Sequence, residues 1–222
     1  MSQYRFALRL KNKYNVPSSQ DFFAPIYASQ DFLGGGGGTG PRHAMVWIHG
    51  LAANANSYFC DGVLASRPFG LDVLNVAPWF GDQGVSERQW SGNGSSSSSS
   101  AGGGSGARSA WWSGSGWIGG ENNAMQEYAT SFDVLDTIVD ELAEAKASGV
   151  LPNLARITIA GFSAGAQLVN RWAVFSPMQP SSPSSGISVR AIVADGYVRT
   201  KPASAALLCA YVCVCVRVCE CV

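Results

Sequence analysis

The residues best suited to chemistry lie at Gly161-Phe162-Ser163-Ala164-Gly165, which has the form G-x-S-x-G. In that spacing a serine sits on a sharp strand-to-helix turn, with its hydroxyl held clear of both elements and free to attack an electrophilic carbon. The flanking glycines have a steric cause, because strand and helix approach so closely that a Cβ would collide. With 26 glycines and 28 serines in 222 residues, ~0.4 such matches arise by chance, so the flanking residues must decide. Ahead of the motif, ARITIA is an apolar, partly β-branched run; behind it, AQLVNRWAVF spaces Leu168, Val169, Trp172 and Phe175 along one helical face. Strand, turn and helix therefore stand where the motif requires them.

A serine hydroxyl is a weak nucleophile at neutral pH, so it needs a base within hydrogen-bond reach and donors for the developing oxyanion. One donor is the backbone N–H of Ala164, at the helix start directly after Ser163. The second is expected from the loop after AMVWI, where His49-Gly50 precede Leu51; Leu51 is the preferred donor and Ala52 the alternative. The base is harder to place. The two histidines, His43 and His49, both lie upstream of Ser163. His49 belongs to the loop and is expected to shape the oxyanion site, since a role as base requires a rearranged triad. His43 is expected to be a solvated residue ahead of the strand.

These residues need elements to hold them. Tyr4, Phe6, Leu8 and Leu10 alternate with Arg5, Ala7 and Arg9, the period of a half-exposed strand at an antiparallel edge. A second strand is expected over Phe23 to Ala28, before the glycine run Gly34 to Gly38. Ala44 to Ile48 and Leu71 to Ala77 are continuous apolar runs of the kind buried in parallel sheets, with a helix from Ser57 to Ser66 between them. From Thr130 to Lys146, Phe132, Leu135, Ile138, Val139 and Leu142 form a stripe, while Asp133, Asp136, Asp140 and Glu144 fall on the opposite side. Thr130 with Asp133 predicts a capping box at its start, and Gly149 with Pro152 its stop. Strands at Arg156 to Ala160 and Val189 to Ala194 flank the helix Ala164 to Phe175. Strands separated by helices of this length predict an α/β fold, a mostly parallel sheet with helices on both faces.

VWIHG at a strand end, GFSAG after ITIA, and the helix ATSFDVLDTIVDEL before that strand together resemble the α/β-hydrolase superfamily, among its esterase-like or lipase-like members. The resemblance covers about Phe23 to Tyr197 and implies an α/β-hydrolase fold that ends after six of the usual eight strands. It implies hydrolysis of an ester or related acyl bond, with Ser163 as nucleophile and the Ala164 and Leu51 amides as oxyanion donors. In such proteins the acid and then the histidine follow the nucleophile, and here no histidine does. Asp195 resembles a variant placement of the acid, or is a structural turn residue before Gly196. The chain as written is accordingly expected to be inactive for want of a base. The alternatives are a non-catalytic protein of the same fold that binds a small ligand or protein partner, and a glycan-binding surface.

Composition bounds the rest. Formal charge sums to zero with a pI near 6.7, so no basic field recruits nucleic acid. No apolar run approaches ~18 residues and the N-terminus lacks the apolar stretch of a signal peptide, so a soluble, cytoplasmic protein without a membrane span is the default expectation. A small-molecule ester or acyl substrate is the partner implied, with no metal and no organic cofactor. Residues 1–208 read as one domain. Within it, residues 81–123 form a Gly/Ser/Trp-rich insertion in which the hexaserine run Ser95 to Ser100 cannot pack a core. Trp79, Trp90, Trp111, Trp112 and Trp117 lie in or beside it, suited equally to lining an apolar cleft or to packing the insertion itself. From Cys209 to Val222 cysteine alternates with valine, as in translated TG-repeat DNA, and the tail reads as a gene-model artefact.

Overall fold

Alternation along the strand after Pro41 sets the two faces of the sheet. In His43–Ile48 (β3), Ala44, Val46 and Ile48 are wholly buried on one side, while Met45 and Trp47 turn to the other. The computed structural model describes residues 4–10, 22–33, 40–81, 108–124, 129–176 and 186–194. Its other strands are Tyr4–Arg9 (β1), Phe22–Ala28 (β2), Val73–Pro78 (β4), Arg108–Ser109 (β5), Arg156–Phe162 (β6) and Ser188–Ala194 (β7). The sheet runs β1-β2-β4-β3-β6-β7, with the two-residue β5 beside β2. β4, β3, β6 and β7 are parallel, whereas β2 is antiparallel to β1 and to β4. This is the α/β class expected of the sequence, a mostly parallel sheet with an antiparallel edge.

Helices lie on both faces. Ala55–Ser66 (α1) covers one, where Phe59 and Val63 pack with Tyr27, Ala77, Trp79 and Trp47. Ser131–Ala147 (α3) and Ala164–Phe175 (α4) cover the other, where Leu135, Ile138, Leu168 and Trp172 join Val46, Ile48, Val76 and Ile159 in one core. Buried on both sides, β4 reads as a continuous apolar run apart from Asn75. The Asn75 amide is bonded at both ends, since Trp47 Nε1–H donates to its Oδ1 (2.9 Å) and its Nδ2 donates to Ser66 Oγ (2.8 Å), while the Asn75 backbone N–H donates to Ser29 Oγ (3.0 Å). A buried amide without partners would cost ~1–3 kcal/mol, so these bonds pin β3, β4 and α1 in one register. β4 starts at Val73 rather than Leu71, because Pro68 opens a 3₁₀ turn over Arg67–Asp72 that takes in the first residues of the predicted run.

The capping box forms as the sequence predicts. Thr130 Oγ1 accepts from Asp133 N–H (3.1 Å), and Asp133 Oδ2 accepts from Thr130 N–H (2.8 Å) and Oγ1–H (2.7 Å). The acidic side of α3 is partly covered. Asp133 and Asp140 are buried, and half-buried Asp136 accepts from Trp172 Nε1–H (2.8 Å) and Ser176 Oγ–H (2.7 Å). Through Asp136, that side of α3 meets α4.

Residues 108–124, from the Gly/Ser/Trp-rich segment, contribute to the core. Ala110, Trp112, Trp117 and Ile118 are buried there, around the short helix Gly116–Gly119 (α2). Each indole covers a large apolar area, so two are enough to anchor the segment. Its carbonyls are also held: Ser131 Oγ–H donates to Trp117 O (2.6 Å), and Arg171 Nη1–H to Ile118 O (2.8 Å). The glycine and serine runs, Trp90, Asp195 and the Cys-Val tail lie outside the described residues.

Candidate active site

At the carboxyl end of β6 the chain turns within one residue into α4. Ser163 takes φ 55°, ψ −118°, a conformation that costs a non-glycine residue of order 1–3 kcal/mol and persists only when the surroundings hold it. The surroundings here are the two glycines. A Cβ on Gly161 would lie 2.3 Å from Gly165 O, and one on Gly165 would lie 2.5 Å from Ile48 O and His49 O. Helix α4 is thus pressed against β6 and β3 by backbone-to-backbone contact. Ser163 N–H donates to Ala194 O (3.2 Å), tying the turn to the end of β7. The side chain is half-buried at the N-terminus of α4, and the Ala164 N–H beside it has no acceptor among the described residues.

β3 ends next to this turn, in His49-Gly50-Leu51. Ser163 Cβ is 3.9 Å from the point that a Cβ on Gly50 would occupy, so the sheet brings together two motifs more than a hundred residues apart in sequence. Leu51 is exposed and its N–H has no acceptor among the described residues. Its orientation is set by the carbonyl of Gly50, which shares its peptide plane and points the opposite way. That carbonyl accepts from Ala53 N–H (3.2 Å) and from His49 Nδ1 (2.7 Å). From the far side, Trp79 Nε1–H donates to Ala53 O (2.7 Å).

His49 is wholly buried, with its ring between Trp117 (centroids 5.0 Å) and Phe80 (5.9 Å). Its Nε2 accepts from Phe80 N–H (2.9 Å), which requires the proton on Nδ1, the atom that bonds Gly50 O. Burial pushes its pKa down to about 4, against a smaller upward pull from the Gly50 carbonyl. Both nitrogens are occupied and the ring is neutral, so His49 positions the loop and has no lone pair for Ser163. Because the folded pKa lies below the unfolded value, stability is full above about pH 6.5 and falls as pH drops from there towards 4. The loss expected is about 3 kcal/mol. Urea midpoints of the parent chain and His49→Gln, compared at pH 7.5 and 4.5, should converge at the lower pH; parallel pH profiles would contradict the assignment.

His43 is not the solvated residue expected ahead of the strand. It is the first residue of β3, half-buried and paired with Arg156 and Val73. Burial and the neighbouring guanidiniums of Arg156 and Arg42 lower its pKa. Five residues of extended chain, about 16 Å, separate it from Ile48, so it sits at the wrong end of the sheet to serve Ser163. The indoles of Trp79, Trp112 and Trp117 are buried in the core. Among the described residues no three His, Cys, Asp or Glu side chains gather as a metal site, and no helix is long and apolar enough to cross a membrane. Sequence reasoning missed Phe80 and Tyr58, both brought to the loop by the fold; neither belongs to a motif.

No family model matches the chain, and no curated protein does. Solved structures similar to it include LpqC, a poly(3-hydroxybutyrate) depolymerase from Bordetella parapertussis (19% identity, 83% of this chain and 49% of that one, TM-score 0.39). Poly(aspartic acid) hydrolase-1 from Sphingomonas sp. KT-1 is similar at 16% identity, covering 80% of this chain and 53% of that one, TM-score 0.40. A Klebsiella pneumoniae protein assigned as a dienelactone hydrolase matches at 11% identity, over 90% of this chain and 62% of that one, TM-score 0.40. The chain spans about half to three fifths of the length of these structures.

Proposed function

We propose that Ser163 is the nucleophile of a serine-hydrolase-type centre directed at an ester or related acyl bond. The observation that carries this reading is the strained backbone of Ser163, held between glycines that admit no side chain, at a point where the loop after β3 arrives. A serine kept in such a conformation by its surroundings is what attack from an exposed turn requires. In the reaction Oγ bonds the acyl carbon, the carbonyl π pair moves onto oxygen, and the N–H groups of Ala164 and Leu51 receive the charge. His49 acts indirectly, by fixing the Gly50 carbonyl and hence the plane of the Leu51 amide.

Neither histidine can take the serine proton, since His49 is committed on both nitrogens and His43 lies at the far end of β3. The same observation favours the second reading, a fold that binds an acyl ligand without turnover. Oxyanion donors and binding leave up to ~10³ over water when a triad member is missing. The 222-residue chain should therefore form an adduct with a fluorophosphonate ester slowly, on Ser163, at a rate rising with hydroxide concentration. Peptide mapping by mass spectrometry, with Ser163→Ala as control, checks this. An adduct that persists in Ser163→Ala, or none after prolonged exposure at pH 9, would leave only the binding reading.

A further inference from the structure

A second group faces the same space as Ser163. Tyr58 Oη lies 3.4 Å from the point that a Cβ on Gly50 would occupy, and Ser163 Cβ lies 3.9 Å from that point. Both distances are ordinary van der Waals contact, and Gly50 does not have a positive φ. Neither packing nor backbone conformation within the described residues therefore demands glycine at this position. The side chain it omits leaves room between a hydroxyl and the candidate nucleophile. Tyr58 lies in the first turn of α1, its N–H bonded to Asn54 O (3.3 Å). It is half-buried, and its hydroxyl makes no hydrogen bond to another described residue. A phenol held by a helix beside a strained serine thus has a donor to offer a ligand there.

We propose that the space over Gly50 receives the carbonyl or phosphoryl oxygen of an acyl-type ligand, and that Tyr58 Oη–H donates to that oxygen. This rests on the reading of Ser163 as nucleophile and adds a side-chain donor to the two backbone donors. As Ser163 Oγ bonds the electrophilic centre, the leaving group departs with its bonding pair and the serine proton passes to hydroxide. Negative charge builds on the oxygen between Gly50 and Tyr58, where a neutral O–H donor stabilises it more than it stabilises the uncharged ligand. Leu51 and Phe162, next in sequence to Gly50 and Ser163, are both large, apolar and exposed. The class of ligand that fits is an ester with an apolar acyl group.

The test uses the 222-residue chain and an alkyl fluorophosphonate ester, with the Ser163 adduct quantified by peptide mapping. Tyr58→Phe keeps the ring and removes the donor, and should slow adduct formation by tenfold to a hundredfold, at or below the usual loss from one oxyanion donor. Gly50→Ala fills the space and should slow it by a similar factor. Alkylation of exposed Cys60 on the same helix should be unchanged in both, which reports that α1 is intact. An adduct formed at the parent rate in Tyr58→Phe overturns the donor while leaving the nucleophile standing. Where Tyr58→Phe alters Cys60 reactivity, Gly50→Ala decides, and a parent rate there overturns the inference. Absence of any Ser163 adduct in the parent chain removes the reading of Ser163 and this inference with it.

Discussion

Gly165→Val is expected to remove more than about 4 kcal/mol of stability, a large part of what a domain of this size possesses. Even the Cβ alone would meet the Ile48 and His49 carbonyl oxygens at 2.5 Å and Ile48 C at 2.9 Å. Those atoms are strand backbone, so relief requires α4 to move away from β3 rather than a side chain to rotate. Moving α4 in turn opens the core around Leu168, Val169 and Trp172, all wholly buried. Ordinary overpacking costs ~1–3 kcal/mol because neighbours yield; here they do not. Gly40→Ala is the control, because its nearest neighbours lie at 3.4 Å and the change should stay within ~0.5 kcal/mol. Urea unfolding followed by tryptophan fluorescence measures both. A Gly165→Val chain with the parent's midpoint would mean that α4 does not lie against β3 as described.

The second large effect is expected for Leu135→Asp. Leu135 is wholly buried at the centre of the α3 stripe and belongs to the same core as Val46, Ile48 and Ile159. The substitution forfeits ~2–5 kcal/mol of packing and burial, as Leu135→Ala would, and adds a carboxyl group with no polar partner supplied for it. Burial raises the pKa of such a carboxyl, so the penalty grows as pH rises through the normal carboxylate range and shrinks in acid. At pH 7.5 the cooperative transition should be lost or moved by several kcal/mol, and at pH 4.5 the deficit relative to Leu135→Ala should narrow. Equal midpoints for Leu135→Asp and the parent chain at pH 7.5 would show that α3 is not docked on the sheet.

Local devices were legible because each is written within a few consecutive residues. The Thr130–Asp133 box needs side chains three positions apart, and the helix it opens begins where that spacing placed it. The elbow needs only small residues two positions either side of Ser163, with an apolar strand before and a helical stripe after; both elements form there. Alternation in β1 and the apolar runs of β3 and β6 likewise carry their own period. Which carboxylates of α3 are covered was not legible, because periodicity separates a charged side from an apolar one without saying whether a second helix will meet it. Whether the tryptophans of residues 108–124 pack or line a cleft was not legible, since packing there depends on where the fold puts two indoles and not on average composition.

The sequence by itself determined the longer strands and helices, their order, the α/β class, and a serine on a strained turn between two glycines, all consequences of short-range periodicity and of sterics within one turn. Only the tertiary structure decided what occupies the ring of His49: Nδ1 bonds Gly50 O and Nε2 accepts from Phe80 N–H. Its partner Phe80 lies 31 residues away and contributes a backbone N–H, a group every residue but proline possesses and no motif can mark. It also decided that Asn75 joins Trp47, Ser66 and Ser29, that Trp112 and Trp117 are core, and that Tyr58 faces the space over Gly50 beside Ser163. Each of these depends on which strands lie side by side and how closely a helix sits on them. Those distances arise from burying one apolar face against another, and no local run of residues contains them.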